Sequence, residues 1–210
     1  VVFAFLGGIA KNFKTNFVAG KSDLVVLEAD EFDRSFHFLS PDIAVITSMD
    51  ADHLDIYGTD EKIQEAFIDF AKRVKPSGKV VARFGLPLNG ITYGLAPKAN
   101  YRAENITITD GRYQFTLVTK TGEKAIVTSG LPGRHNVENA VGAAAACLEF
   151  GLPLAQVAKG IETFEGVNRR FDVRVKNKKH IYIDDYAHHP EEITAFLNSV
   201  REMYSNKKIT

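Results

Sequence analysis

Two stretches of this sequence set acids where ligand chemistry is usually done. Leu24-Val25-Val26-Leu27 runs into Glu28, Asp30, Glu31 and Asp33, and Ile43-Ala44-Val45-Ile46 runs into Asp50, Asp52, His53 and Asp55. A short apolar run without alternation reads as a strand covered on both faces, the habit of a parallel sheet flanked by helices. Ligands of such sheets bind outside the carboxyl ends of the strands, which is where these acids fall. Two carboxylates about 4 Å apart repel by roughly 1 kcal/mol in water and about 4 kcal/mol at an effective dielectric of 20, so acids gathered at neighbouring strand ends call for a counter-ion. An oxygen-rich set with one imidazole suits Mg²⁺ or Mn²⁺ carrying phosphate better than a structural zinc. The rival reading, solvated loop acids, is the ordinary one for a single acid and is weakened by two consecutive strands ending alike. We therefore expect Glu28 and His53 at adjacent strand ends, their side chains converging on one cleft.

A second group of polar residues opens a helix. Leu131 to Ala140 reads LPGRHNVENA, with Asn136 and Asn139 three apart and so on nearly the same side of one turn. Both amides would then reach a purine edge or ribose; the alternative is that an Asn at a helix start simply caps it. Near the other end, Asp184-Asp185-Tyr186-Ala187-His188-His189-Pro190 follows a short apolar run, and Pro190 suits the first turn of a helix, with Glu191 and Glu192 at its positive end. Gly20-Lys21-Ser22 imitates the tail of a phosphate-binding loop. The Gly expected five residues earlier is Thr15, and the segment opens a strand rather than a helix, so it is set aside.

The elements that must position these groups follow from periodicity. Residues 3–22, with Gly7-Gly8 and several Asn and Thr, read as loop. Ile63, Ala66, Phe67, Phe70, Ala71 and Val74 give an amphipathic helix from Asp60 to Val74, ended by Pro76-Ser77-Gly78, and Lys79–Arg83 reads as the next strand. From Tyr101 the period falls to two through Ile106, Ile108, Tyr113, Phe115, Leu117, Ala125 and Val127, with turns at Asp110-Gly111 and Thr121-Gly122: an antiparallel meander. Helices are expected to about Phe150 and over Leu154–Phe164, with Gly166-Val167-Asn168 the best candidate for a linker. Beyond it, a hairpin over Phe171–Val175 and Ile181–Ile183 and a helix from Pro190 begin a second unit. About 40 residues with so few apolar side chains cannot offset an ordering cost of about 1.5 kcal/mol each. That piece should dock on the first unit, dock on another copy, or be mobile.

The 210 residues suffice for one large domain or one and part of another. Lys plus Arg equals Asp plus Glu at 26 each, so no basic field invites nucleic acid or an anionic membrane. Cys147 is the only cysteine, in an Ala-rich run where a small buried thiol is expected; this excludes an internal disulfide framework and suits a cytoplasmic protein. The longest apolar run, Ala140–Leu148, is far short of the roughly 20 residues a membrane-spanning helix needs. No signal peptide is read at VVFAFLGG, and the chain reads as cut at both ends.

Taken together, EADEFDRSF at 28–36, ITSMDADHLDIYG at 46–58, GLPGRHNVENA at 130–140, GVNRRFD at 166–172 and DDYAHHPEE at 184–192 resemble, in family order, the Mur ligases, ATP-dependent enzymes that add amino acids to the peptidoglycan precursor. The RRFD and DDYAHHP wording is most similar to the member that joins L-alanine to UDP-N-acetylmuramate; the member that recycles a murein tripeptide is close. The resemblance implies an α/β chain: a central ATP-binding domain over 1–168, mainly parallel with an antiparallel meander, then the start of a Rossmann-like C-terminal domain at 169–210. It implies Glu28 as ligand of the Mg²⁺ bridging the ATP phosphates, and His53 for a second Mg²⁺ or the phosphates. Asn136 and Asn139 would hold adenosine, Arg170 and Asp185 would close over ATP, and Tyr186 and His188 would lie near the incoming L-alanine. The family's Gly-Lys-Thr loop, its UDP-holding domain and most of its C-terminal domain are not found in these residues, so the chain alone is expected to be inactive. Some siblings carry a carbamylated lysine; no residue here matches it well, and Lys62 is not assigned. A metal-dependent phosphohydrolase using Asp50, Asp52, His53 and the His188-His189 pair, and a non-catalytic interaction module, are the rival readings.

Overall fold

The computed structural model describes residues 2–50, 54–109 and 111–210. Its first sheet has three strands in the order β2-β1-β3: β1 (Phe3–Ala10) pairs antiparallel with β2 (Thr15–Val18) and parallel with β3 (Val25–Leu27). Two expectations are corrected here. The region read as loop is mostly strand, because Gly inside a strand marks the close approach of another group as often as a break. The Leu24 run is not a buried strand, since Val25, Val26 and Leu27 are 53%, 48% and 44% exposed. Three apolar residues carry too little pattern to tell which faces are covered.

A 3-10 stretch, Phe32–Phe38, buries Phe36 and holds Asp33 and Arg34 at left-handed φ of 53° and 57°. It leads to β4 (Ile43–Ile46), the edge of a six-stranded sheet. Then come α1 (Leu54–Tyr57) and α2 (Asp60–Lys72), the latter capped by Thr59, which accepts from the Lys62 amide. The sheet continues with β5 (Lys79–Arg83), β6 (Ile91–Gly94), β7 (Tyr101–Thr109), β8 (Arg112–Val118) and β9 (Lys124–Thr128), in sequence order. Pairing is parallel from β4 to β7 and antiparallel from β7 to β9, so the α/β sheet with its meander is as expected. The short β6, between Gly90 and Gly94, gave no periodic signal.

Successive strand residues face opposite sides, and the adjacent Val80 and Val81 of β5 join different apolar clusters. One side packs Ile63, Ala66 and Phe70 of α2 with Phe36, Ile46 and Tyr57. The other packs Tyr93, Tyr113, Phe115 and Leu117 under α3 (Arg134–Phe150) and α4 (Leu154–Glu162), with Val137, Val141, Ala144 and Ala145 of α3 fully buried. The chain ends in an antiparallel hairpin, β10 (Asp172–Lys176) and β11 (Ile181–Asp184), and α5 (Pro190–Met203). Of the three fates open to this piece, docking on the first unit is the one observed. The Tyr113 hydroxyl donates to Glu202 Oε2 (2.6 Å), Arg134 Nε lies 3.3 Å from Glu202 Oε1, and Met203 packs against the core under α3. Among the described residues no helix is long and apolar enough to cross a membrane.

Candidate functional site

Glu28 leaves the end of β3, where its amide donates to the Phe5 carbonyl (3.0 Å) and its carboxylate turns back over β1. The Gly7 amide donates to Glu28 Oε2 at 2.7 Å, and a Cβ on Gly7 would stand only 2.3 Å from Glu28 Oε1. Gly8 is as tight on its own account: a Cβ there would lie 2.5 Å from Val167 Cγ1. The adjacent glycines thus admit the acid and the linker to one strand.

The linker is stitched to the end of β1. Ala10 bridges Val167, the Lys11 amide donates to the Gly166 carbonyl (2.9 Å), and the Asn168 amide donates to the Ile9 carbonyl (3.0 Å). Arg170 follows, exposed, between Arg169 at φ 62° and Phe171 at φ 46°. Asp185 braces this turn: Oδ2 accepts the Phe171 amide (2.7 Å) and Oδ1 the Ala187 amide (2.8 Å). The Tyr186 amide donates to the Arg169 carbonyl (2.7 Å), and the Arg169 guanidinium lies 4.7 Å from the Tyr186 ring centre. Asp172 accepts from Lys11 Nζ (2.6 Å) and sits 2.9 Å from Arg174 Nη2; these contacts, with the Lys11 bond foremost, hold its carboxyl below the usual range against its burial.

His188 and His189 close the N-terminus of α5. Both amides donate to Glu192 Oε2, at 3.2 and 3.4 Å, and His188 Nδ1 lies 3.1 Å from the Tyr186 carbonyl oxygen. At the start of α3, Gly133 occupies the capping position at φ 99°, so Asn136 is not the N-cap. Its side-chain amide instead donates to the Pro132 carbonyl (2.6 Å), which orients it, and Asn139 is exposed one turn on. His135, next to Asn136 in the chain, sets its Nδ1 3.5 Å from Ser199 Oγ of α5. Burial lowers its pKa, opposed by the charge of Asp185.

The structure brings the backbone turn of Arg170 together with Asp185, Tyr186 and His188, and β1 ties Glu28 to the same turn. It does not place the two acid-tipped strands side by side, because β3 and β4 belong to different sheets. Each carries a free edge in its own sheet, and nothing in either run names its partner. His53 and Asp52 lie outside the described residues. Among the described residues no three acids, histidines or thiols gather to hold a metal. Sequence reasoning missed Gly7, Gly8, Lys11, Asp172 and His135. The one available signal was the glycine pair inside an apolar strand-like run.

Residues 9–147 match the Mur ligase middle domain and residues 169–210 the Mur ligase glutamate ligase domain. A UDP-N-acetylmuramate--L-alanine ligase of Flavobacterium psychrophilum is 47% identical over 208 residues, covering 99% of this chain and 46% of its own length. Its counterpart from Porphyromonas gingivalis is 45% identical over 216 residues, covering 98% and 47%. The chain spans about half the length of the curated relatives it matches. Among solved structures, the UDP-N-acetylmuramate-alanine ligase MurC of Thermotoga maritima superposes with a TM-score of 0.84 at 29% identity, over 99% of this chain and 49% of that one. A MurF ligase of Thermotoga maritima, solved with ADP, shares the fold at a TM-score of 0.77 and 19% identity, over 96% and 51%.

Proposed function

The chain belongs to the Mur ligase family, and from that premise we propose that it is the middle and the beginning of the C-terminal part of an ATP-dependent ligase that joins L-alanine to UDP-N-acetylmuramate. The domain boundary falls at residues 168/169, supported by the stitched linker and by the start of the second family match. One observation carries the site reading. Strand β1 and the residue after it hold Glu28 through Gly7 and the backbone of the Arg170 turn through Ile9 and Lys11, so the carboxylate and the turn that carries the guanidinium are tied to one element. Phosphoryl transfer needs that pair: a metal ligand and a cation for the charge on the transferred group.

Mg²⁺ is usually held by one or two carboxylates with waters and substrate phosphates. A single acid whose orientation is set by a backbone amide, as Glu28 is, fits that demand, and His53 is assigned to a second Mg²⁺ or to the phosphates. Bound there, Mg²⁺ would neutralise phosphate charge. Asn136 and Asn139 present amides to the adenosine part. Arg170 reaches over the phosphates from its braced turn, and Asp185 both shapes that turn and closes on the nucleotide side. Tyr186 and His188, on the loop before α5, lie where the amino acid enters.

In the chemistry proposed, a carboxylate oxygen of the muramoyl group attacks the γ-phosphorus and the bond to the β–γ bridging oxygen breaks, releasing ADP. The alanine amino group then attacks the acyl carbon and expels phosphate, losing a proton as the amide forms. The 210 residues contain no Gly-Lys-Thr, so the isolated chain is assigned no turnover. A cytoplasmic site of action is proposed from the lone cysteine and the ATP dependence of the family.

The test uses the full-length protein containing this chain. Phosphate release with ATP, Mg²⁺ and UDP-N-acetylmuramate should require L-alanine and collapse in Glu28→Ala. Equal turnover of Glu28→Ala, or a preference for a murein tripeptide over L-alanine, would overturn the assignment.

A further inference from the structure

We propose that Asp172, gripped by Lys11 from the far end of β1, is a positioning residue that fixes the Arg169–Phe171 turn and thereby the direction in which Arg170 is presented. The proposal rests on the reading of Arg170 as the residue that meets the phosphates. Three observations carry it.

The turn is strained and held from outside. The two non-glycine residues that flank Arg170 adopt left-handed φ, 62° at Arg169 and 46° at Phe171. Such conformations cost on the order of 1 kcal/mol or more each and persist only where the surroundings over-determine them. Asp172 supplies part of that constraint, since its Oδ2 accepts the Arg169 amide (3.3 Å) while Oδ1 accepts from Lys11 Nζ (2.6 Å). Asp185 supplies the rest through the Phe171 amide, and the buried Phe171 ring packs edge-on against Phe196 of α5, with centres 5.5 Å apart.

The Lys11–Asp172 pair is set deeper than an ordinary surface ion pair. The Asp172 side chain is 7% exposed and that of Lys11 28%, and 161 residues separate them. A pair so shielded is screened little by salt and holds its geometry. Arg170, by contrast, is exposed, with its amide bonded to the Val167 carbonyl (3.2 Å), so its aim depends on the turn beneath it.

Finally, Lys11 directly follows the strand that orients Glu28. A shift in the pair therefore moves the guanidinium relative to the carboxylate without touching either group. Misplacement of about 1 Å in a catalytic constellation costs up to about a hundredfold in rate.

The test is a set of variants in the full-length protein: Lys11→Met, Asp172→Asn, Arg170→Ala and each of the first two combined with Arg170→Ala. Lys11→Met and Asp172→Asn should lower kcat by about tenfold or more while KM for ATP stays within about threefold. In the Arg170→Ala background their effects should vanish, because residues acting through one group do not add. Trypsin should cut the 210-residue chain after Arg169 and Arg170 faster in Lys11→Met than in the parent. If Asp172→Asn does not fold, Lys11→Met decides, since its side chain lies outside the turn. An impaired Arg170→Ala beside a Lys11→Met with normal kcat, or losses that multiply in the double variants, would sink the proposal alone. An Arg170→Ala enzyme turning over normally would sink the reading of Arg170 and the proposal with it.

Discussion

Gly7→Ala should separate stability from function. The added Cβ would stand 2.3 Å from Glu28 Oε1 and 2.6 Å from both Cδ and Oε2. Ordinary contact begins near 3.5 Å, so the carboxylate must retreat by about 1 Å and gives up its hydrogen bond from the Gly7 amide. The obstructing atoms are the end of a flexible, solvated side chain, so the retreat itself costs little. Removing a glycine from a strand also lowers the entropy of the unfolded chain, which offsets about 0.4–1 kcal/mol of any loss. The two effects leave stability within about 1 kcal/mol, and the melting temperature of the 210-residue chain within about 4 °C. Turnover of the full-length protein is another matter. A carboxylate displaced by about 1 Å should cost up to about a hundredfold in kcat. Thermal unfolding of the chain and L-alanine-dependent phosphate release by the full-length protein are the two measurements. Near-normal turnover would refute the idea that the Gly7 amide sets the working position of Glu28. A melting temperature lowered by much more than the stated margin would refute the claim that the clash is absorbed by the side chain.

Gly130→Ala should be far worse for folding, because its Cβ would lie 1.8 Å from the backbone oxygen of Phe164; a loss of about 3 kcal/mol or more is expected, read as poor soluble yield or an early melt. Glu149, 1% exposed at the end of α3, has its pKa pushed up by burial but more strongly down by Lys120, Lys79 and Tyr101, to about 2. Its folded value lies below the unfolded one, so its contribution, about 3 kcal/mol at most, is present above about pH 4.5 and is lost as pH falls towards 2. Glu149→Gln should lower stability at pH 7 by about 1–3 kcal/mol and flatten the acid limb of the stability curve over that window. Glu202→Ala removes the acceptor of both Tyr113 and Arg134, so hydrogen exchange should speed up across 190–204 while 43–47 stays protected; equal protection in both forms would show that the apolar contacts alone dock α5.

Much of the fold was legible because its elements declare themselves locally. The spacing of Ile63, Ala66 and Phe70 marks α2, alternation through Tyr113, Phe115 and Leu117 marks β8, and Pro190 with its following acids marks α5. The candidate acids and amides, Glu28, Asn136 and Asn139, stood out by residue type and spacing, whereas Arg170 came into view only through the family resemblance. Asn136 shows the limit. Its position by a helix start suggested a cap, but Gly133 took that place and left the side chain to close the turn behind it.

What holds the site was not legible, and the reason lies in sequence separation. Gly7 needs to be glycine because of a residue 21 positions away, and Lys11 is placed by one 161 positions away. Gly8 makes room for Val167. A local pattern reports the face a residue turns to its own element, and none of these constraints is local. The two acid-tipped strands make the same point from the other side. In sequence Val25-Val26-Leu27 and Ile43-Ala44-Val45-Ile46 are equivalent, yet β3 pairs with β1 and is exposed, whereas β4 pairs with β5 and buries Ala44 and Ile46. A strand's own residues specify that it will pair, and the alternation of its partners decides with which; chemistry-bearing side chains can therefore be read from one segment, while their mutual placement resides in the segments that hold them.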